Sequence, residues 1–260
     1  MSIQLIRQYN IMMAEYESYF SAAGLALNLD KSDLIVFRSK PKTMTLKLNG
    51  VAESNKVKLL GIQVTSDYSF LPQLSSVRSR VGHKLSKISS ISHHMNPKNL
   101  RILIEAHCLS IINYGYEVWG NKALIQKTVQ KSINSCARVA LNATLRARVS
   151  MMLFTLKWLN AENLHLFLKC TWLRRLMSFV TSRYNFMMFD FKPRHNYGTR
   201  SNDTHLKFQP KTRFGQNSFL VSAVYIHNKL KLNQTLIASE DFNESVKGMI
   251  IQMNGNDNIV

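Results

Sequence analysis

Along residues 3 to 22, apolar side chains recur on every side of a helical period, with Ile11, Met12, Met13, Tyr16, Tyr19 and Phe20 dense enough to pack on a sheet. Gly24 then breaks the helix. Leu34 to Phe37, Met44 to Leu48 and Val57 to Val64 are short, rich in branched or apolar residues and bounded by turn formers, so each reads as a strand. Asn49-Gly50 is a hairpin signal, because both residues tolerate the positive φ of a type I′ turn. From Ser66 onward the period changes to that of helices. Leu74, Val77, Val81, Leu85 and Ile88 form one stripe, with Arg80, Lys84 and Lys87 together on a neighbouring face. Asn96-Pro97 starts a mostly apolar segment that runs to about Trp119 and should be a central buried helix.

Lys122 to Leu141 is the clearest amphipathic helix. Ile125, Val129, Ile133, Cys136 and Ala140 point one way, while Lys127, Lys131 and Arg138 fall within about 40° of each other on the opposite face. A helix from about Glu162 to Tyr184 places Phe167, Leu168, Trp172, Leu176 and Phe179 inward, with Asn160 as its cap. Residues 185 to 216 read as a long connecting segment, followed by helices over about 217–232 and 240–252. The class is therefore α+β, an N-terminal helix and small antiparallel sheet followed by a mostly α-helical remainder.

Charge narrows the partners. The 260 residues hold 34 Lys and Arg against 15 Asp and Glu, a formal charge of +19. A polyanion is the expected partner. From Val118 to Ser239 the chain has nineteen bases and only Glu162, Asp190 and Asp203 as acids, whereas a face that serves solubility mixes signs. No stretch reaches the roughly 18 apolar residues of a membrane span, and the first residues lack the pattern of a signal peptide, so a nuclear or cytoplasmic, non-secreted chain is expected. Cys108, Cys136 and Cys170 each sit in an apolar helical pattern and read as buried free thiols. The histidines do not pair with them at zinc-binding spacing, and no metal site is expected.

The most specific motif is Ala23-Gly24-Leu25-Ala26-Leu27-Asn28-Leu29-Asp30-Lys31-Ser32, followed by Leu34-Ile35-Val36-Phe37 and by Leu59-Leu60-Gly61-Ile62-Gln63-Val64. It resembles the end of the palm in reverse transcriptases of non-LTR retrotransposons. In that family a helix leads into a Gly-Leu-x-Leu-Asn-x-x-Lys-Thr turn and a strand, and a Leu-Gly pair then grips the primer. The order continues with Asp67, with Asn113-Tyr114-Gly115-Tyr116-Glu117-Val118-Trp119-Gly120, with the Lys127 to Arg138 helix, with Asn196-Tyr197-Gly198-Thr199-Arg200, and with Asn217-Ser218-Phe219 and Asp241-Phe242. It departs at Phe70 and Gln73, where the family has Trp and His, at His227-Asn228 for a Trp-Asn pair, and at Ser32 for Thr.

The resemblance implies a palm end with its primer-grip hairpin over 1–66, a helical thumb over 67–160 and a basic helical extension over 161–260. It implies an RNA-directed DNA polymerase, a nucleotidyltransferase of a transposable element, that takes RNA and DNA as template and primer. Mg2+ is implied for the complete polymerase, held on palm aspartates that include an Ala-Asp-Asp turn upstream of the helix near Met1. No Asp-Asp pair occurs in this chain, so a fragment that binds without catalysing is expected, with no cofactor of its own and the polymerase's N-terminal region as a further partner.

Lys31 is the candidate general acid of the parent enzyme, where a lysine in this turn protonates departing pyrophosphate; the plainer alternative is a solvated turn lysine between Asp30 and Asp33. Leu59, Leu60 and Gly61 are the candidate primer grip, against an ordinary strand with a glycine bulge. Arg80, Lys84, Lys87, Lys127, Lys131 and Arg138 are candidates for phosphate contacts, and Arg194, Tyr197 and Arg200 for stacking on a base between phosphates. Tyr114 and Trp119 fall in the most apolar segment and are expected in the core. A non-catalytic nucleic-acid-binding or assembly protein derived from such an element, and a basic helical scaffold for a protein partner, stand as alternatives.

Overall fold

The computed structural model describes residues 3–37, 47–48, 50–178, 225, 230 and 239–256. The chain divides into two compact units, Met1–Phe70 and Leu71–Val260. The fold is α+β, mostly helical with two small antiparallel sheets in the first unit.

In the first unit, helix α1 spans Ile3–Ala22 and stops where Gly24 takes φ +72. The Leu25 amide donates back to the Phe20 carbonyl at 2.8 Å and closes the helix end. The apolar side expected to lie on a sheet is instead exposed at Ile11, Met12, Tyr16 and Tyr19, the last by 70%. Leu34 to Phe37 is no strand; Leu34 alone makes a parallel bridge to Glu53. Strands β1 (Lys47–Leu48) and β2 (Val51–Ala52) pair antiparallel with Leu48 opposite Val51, so Asn49 and Gly50 are the two residues between them, and Gly50 has φ +83.

The expected strand Val57 to Val64 is two strands, β3 (Lys56–Leu59) and β4 (Ile62–Thr65). Leu59 pairs with Ile62, and the chain reverses at Leu60-Gly61, with φ +46 and +85. Positive φ at both central residues is the requirement of a type I′ turn, and Leu meets it only with strain, which is why the residue pattern alone reads as one strand although the primer-grip resemblance implied a hairpin here.

In the second unit, α2 (Leu71–Ile91) buries Leu74, Val77, Val81 and Ile88, with Leu85 half-buried. Asn96 caps α3 (Pro97–Ile104), its side chain accepting from the Lys98 amide at 2.9 Å, with Pro97 in the first turn. The expected single helix to Trp119 is interrupted twice. A π-helical turn, Glu105–Leu109, leads into α4 (Ser110–Asn113), and Gly115 at φ +64 separates it from α5 (Tyr116–Trp119). Trp119 is fully buried, its indole N–H donating to the Tyr114 carbonyl at 3.0 Å, but Tyr114 is exposed rather than in the core. Gly120 has no alternative here, because a Cβ would come 2.5 Å from the Tyr116 ring.

Helix α6 (Ala123–Ala140) buries all of Ile125, Val129, Ile133, Cys136 and Ala140 and packs on α2, α3, α7 (Val149–Leu156) and α8 (Ala161–Ser178). Asn160 caps α8, its side chain accepting from the Asn163 amide at 2.8 Å. Gln130 of α6 reaches the same helix end and accepts from the Ala161 amide at 2.7 Å. Helix α9 (Phe242–Asn256) seats Phe242, Val246 and Ile250 against Cys170 of α8. All three cysteines are buried free thiols, as expected. Among the described residues, no helix is long and apolar enough to cross a membrane.

Candidate nucleic-acid interface

Helices α2 and α6 pack side by side, and their crossing leaves a groove of about 320 Å³. It is lined by Arg78, Val81, Gly82 and Leu85 of α2 and by Lys131, Ser132 and Ser135 of α6. Gly82 has nothing within 4 Å of where a Cβ would sit, so the helix backbone is open to whatever enters. A second, shallower hollow of about 460 Å³ runs along α2 over Ser75, Ser79, Gly82, His83 and Ser86. Arg78 and Gly82 line both. Small hydroxyl side chains beside two cations make a surface of the kind to which a sugar–phosphate backbone would be suited.

The sequence-derived cations are divided by the fold. Lys127 and Lys131 are exposed on α6, with Lys131 in the groove. Arg138 is half-buried, and its Nε lies inside the protein without a hydrogen-bond partner. Arg80, Lys84 and Lys87 are exposed on α2, but at about 100° per residue they lie across the buried stripe from the groove, Lys84 about 120° from Arg78. The sequence reading missed Arg78 because it falls outside that basic row; its position beside Gly82 on the following turn is the signal that could have found it. Arg194, Tyr197 and Arg200 lie outside the described residues.

In the first unit, Lys31 is exposed in a 3-10 turn, Leu29–Lys31. Asn28 organises this turn. Its side-chain oxygen accepts from the Lys31 amide at 3.1 Å, and its carbonyl accepts from the Ser32 hydroxyl at 2.9 Å. Leu59 and Leu60 project from the tip of the β3–β4 hairpin, Leu60 being 83% exposed. After β4, the Asp67 carboxylate accepts from the Ser69 amide at 3.0 Å, and hydrogen bonds from Thr65 and Ser69 hold its pKa below the usual carboxylate range. Asp67 therefore serves to shape this turn.

No three metal-ligating side chains come together among the described residues. Glu105, an acid that the sequence places near His107 and Glu117, illustrates why. The Glu105 carboxylate is taken by the Arg101 Nε and the Trp158 indole N–H, both at 2.7 Å, and these bonds with the Arg101 charge outweigh burial and lower its pKa. The residues described do not fit a magnesium site, and no catalytic step is placed on them.

Three buried polar side chains escaped the sequence reading. On α8, Asn163, His165 and Lys169 are buried, whereas Phe167, Leu168 and Trp172, expected inside, are half-buried. The His165 ring meets Tyr116 edge-on at 5.4 Å between centroids. Burial pushes His165 down to about 3, with the Lys169 charge adding to the effect, and pushes Lys169 down to about 8. Tyr116 Oη and His165 Nε2 have no hydrogen-bond partner. No family model, curated protein or solved structure matches the chain.

Proposed function

We propose that this chain is the template- and primer-holding C-terminal part of a non-LTR retrotransposon reverse transcriptase, without the metal-binding aspartates that polymerise. The ordered palm, thumb and extension motifs support that descent. The observation that carries the binding role is the α2–α6 groove, where Arg78 and Lys131 join Gly82, Ser132 and Ser135 beside the apolar Val81 and Leu85, in a chain of charge +19. Such a surface holds a duplex by charge and shape rather than by reading bases.

Each phosphate neutralised by a cation releases counterions, so affinity for an RNA·DNA hybrid should fall steeply with salt. Replacing Lys127, Lys131 and Arg138 together by Ala should lower the slope of log affinity against log salt by about two to three units, with most of the change from the two exposed lysines. An unchanged slope would remove α6 from the binding surface. The chain alone should incorporate no nucleotide when given primer, template and magnesium, and incorporation would overturn the division of roles. The absence of any Asp-Asp pair favours a second reading, a non-catalytic nucleic-acid-binding protein derived from such an element. Adding a polymerase fragment that carries the Ala-Asp-Asp turn separates the two, because only the first reading expects restored extension.

A further inference from the structure

The segment that joins α6 to α8 combines exposed apolar and cationic side chains in a way the groove does not use. Helix α7 turns Met152, Leu153 and Leu156 into the core, and its other side leaves Met151 and Phe154 in water, Phe154 by 79%. Three residues apart on a helix, these two are neighbours on one face. Leu145, in the approach to the helix, is 86% exposed. Arg146 and Arg148 before the helix and Lys157 after it are exposed as well. No Asp or Glu occurs between Glu117 and Glu162. An exposed aromatic flanked in sequence by cations, with the nearby Glu105 carboxylate already taken by Arg101 and Trp158, has the complementarity of a base flanked by phosphates.

We propose that the exposed side of α7 is a stacking site for an unpaired base of single-stranded nucleic acid, with Phe154 against the base and Arg148 and Lys157 on the neighbouring phosphates. This rests on the nucleic-acid reading above and adds the single strand as a second class of substrate. A membrane surface fits the patch less well. A helix that lies in a lipid interface needs a long apolar face, whereas α7 is eight residues, about 12 Å, and its aliphatic side is already committed to the core.

Lys157 offers a clean test. It ends α7 in the left-handed region at φ +55, a position that glycine adopts without strain. Lys157→Gly removes the charge while easing the backbone, so weaker binding by this variant cannot be ascribed to unfolding. The probe is a single strand of about 12 nucleotides carrying 2-aminopurine, titrated into the full chain. Stacking should quench its fluorescence. Phe154→Ala should weaken binding about tenfold and remove most of the quench, Phe154→Trp should retain both, and Lys157→Gly should lower the salt slope by about 0.7. Blunt RNA·DNA hybrid should bind the Phe154→Ala chain as it binds the native one. Equal single-strand affinity and equal quench in native and Phe154→Ala chains would overturn the proposal and leave the groove untouched. Loss of hybrid binding in the α6 triple variant with the quench intact supports both sites as separate. Phe154-dependent binding to phosphatidylserine vesicles without binding to the oligonucleotide would also overturn it, in favour of a lipid surface.

Discussion

His165 is the residue whose behaviour follows most directly from its surroundings. It is buried beside Tyr116, and its ring bonds to the Glu117 backbone while Lys169 brings a positive charge one turn away. The folded chain therefore holds it neutral down to about pH 3, whereas the unfolded chain protonates it near 6.5. Between those values the unfolded state binds more protons, so stability is complete above pH 6.5 and falls as the pH drops towards 3, by up to about 1.4 kcal/mol per pH unit. Lys169 acts in a separate window by the same sign: stability rises between about pH 8 and 10.5, where only the unfolded state holds the proton. Urea unfolding of the native chain and of His165→Leu between pH 4 and 6 measures the first effect. The difference in free energy should grow with acidity in favour of the variant, and parallel curves would show that His165 is solvated. None of this was legible in the sequence, because Leu164, Leu166, Phe167, Leu168, Trp172 and Leu173 surround α8 on nearly every side. With apolar residues all round, periodicity cannot say which face turns inward.

Elements were legible where one face alone is apolar. The stripes of α2 and α6 lie in the core as the spacing predicts, and Asn96 and Asn160 cap the helices they precede. Breaks within elements were not legible from periodicity alone, and the hairpin at Leu60-Gly61 was implied only by the primer-grip resemblance. The π turn at Glu105–Leu109 adds a residue inside a mostly apolar segment, and the reversal at Leu60 uses a residue that disfavours positive φ. The hairpin turn carries the sharper consequence. Leu60 in the left-handed region costs about 1 kcal/mol relative to a residue suited to it, and Leu60→Asn supplies the Asn-Gly pair that type I′ turns prefer. Amide exchange across β3 and β4 should slow about fivefold in the variant, an unchanged rate showing that the turn stores no strain. If Leu59 and Leu60 grip the primer, the same substitution should weaken hybrid binding while it stabilises the hairpin. Opposite movement of the two readouts separates a gripping side chain from a merely structural one.

Across the whole molecule, burial is divided unevenly, and the sequence shows the order of elements but not this division. Helix, sheet and then helices could be read from the change of period, yet α1 is as apolar as the core helices and is still exposed. Burial depends on a facing partner, and a partner distant in sequence leaves no mark on the local pattern. Among the described residues of the first unit, Phe70 is the one buried hydrophobic side chain. The second unit holds the rest of the buried set, with Ile104, Ile112, Trp119, Ile125 and Ile133 sealed completely or nearly so. A unit with little buried apolar surface opens at low free energy, whereas helices that share one core open together. Native-state hydrogen exchange should therefore find α1 and the β3–β4 hairpin exchanging through local opening at a rate insensitive to low urea. Amides of α4 and α6 should exchange only through global unfolding, with protection higher by more than about a hundredfold and falling with urea at the full unfolding slope. Equal protection and equal urea dependence in the two units would mean that α1 belongs to the same cooperative core, and the separation of a solvent-open first unit from a stable helical one would have to be abandoned.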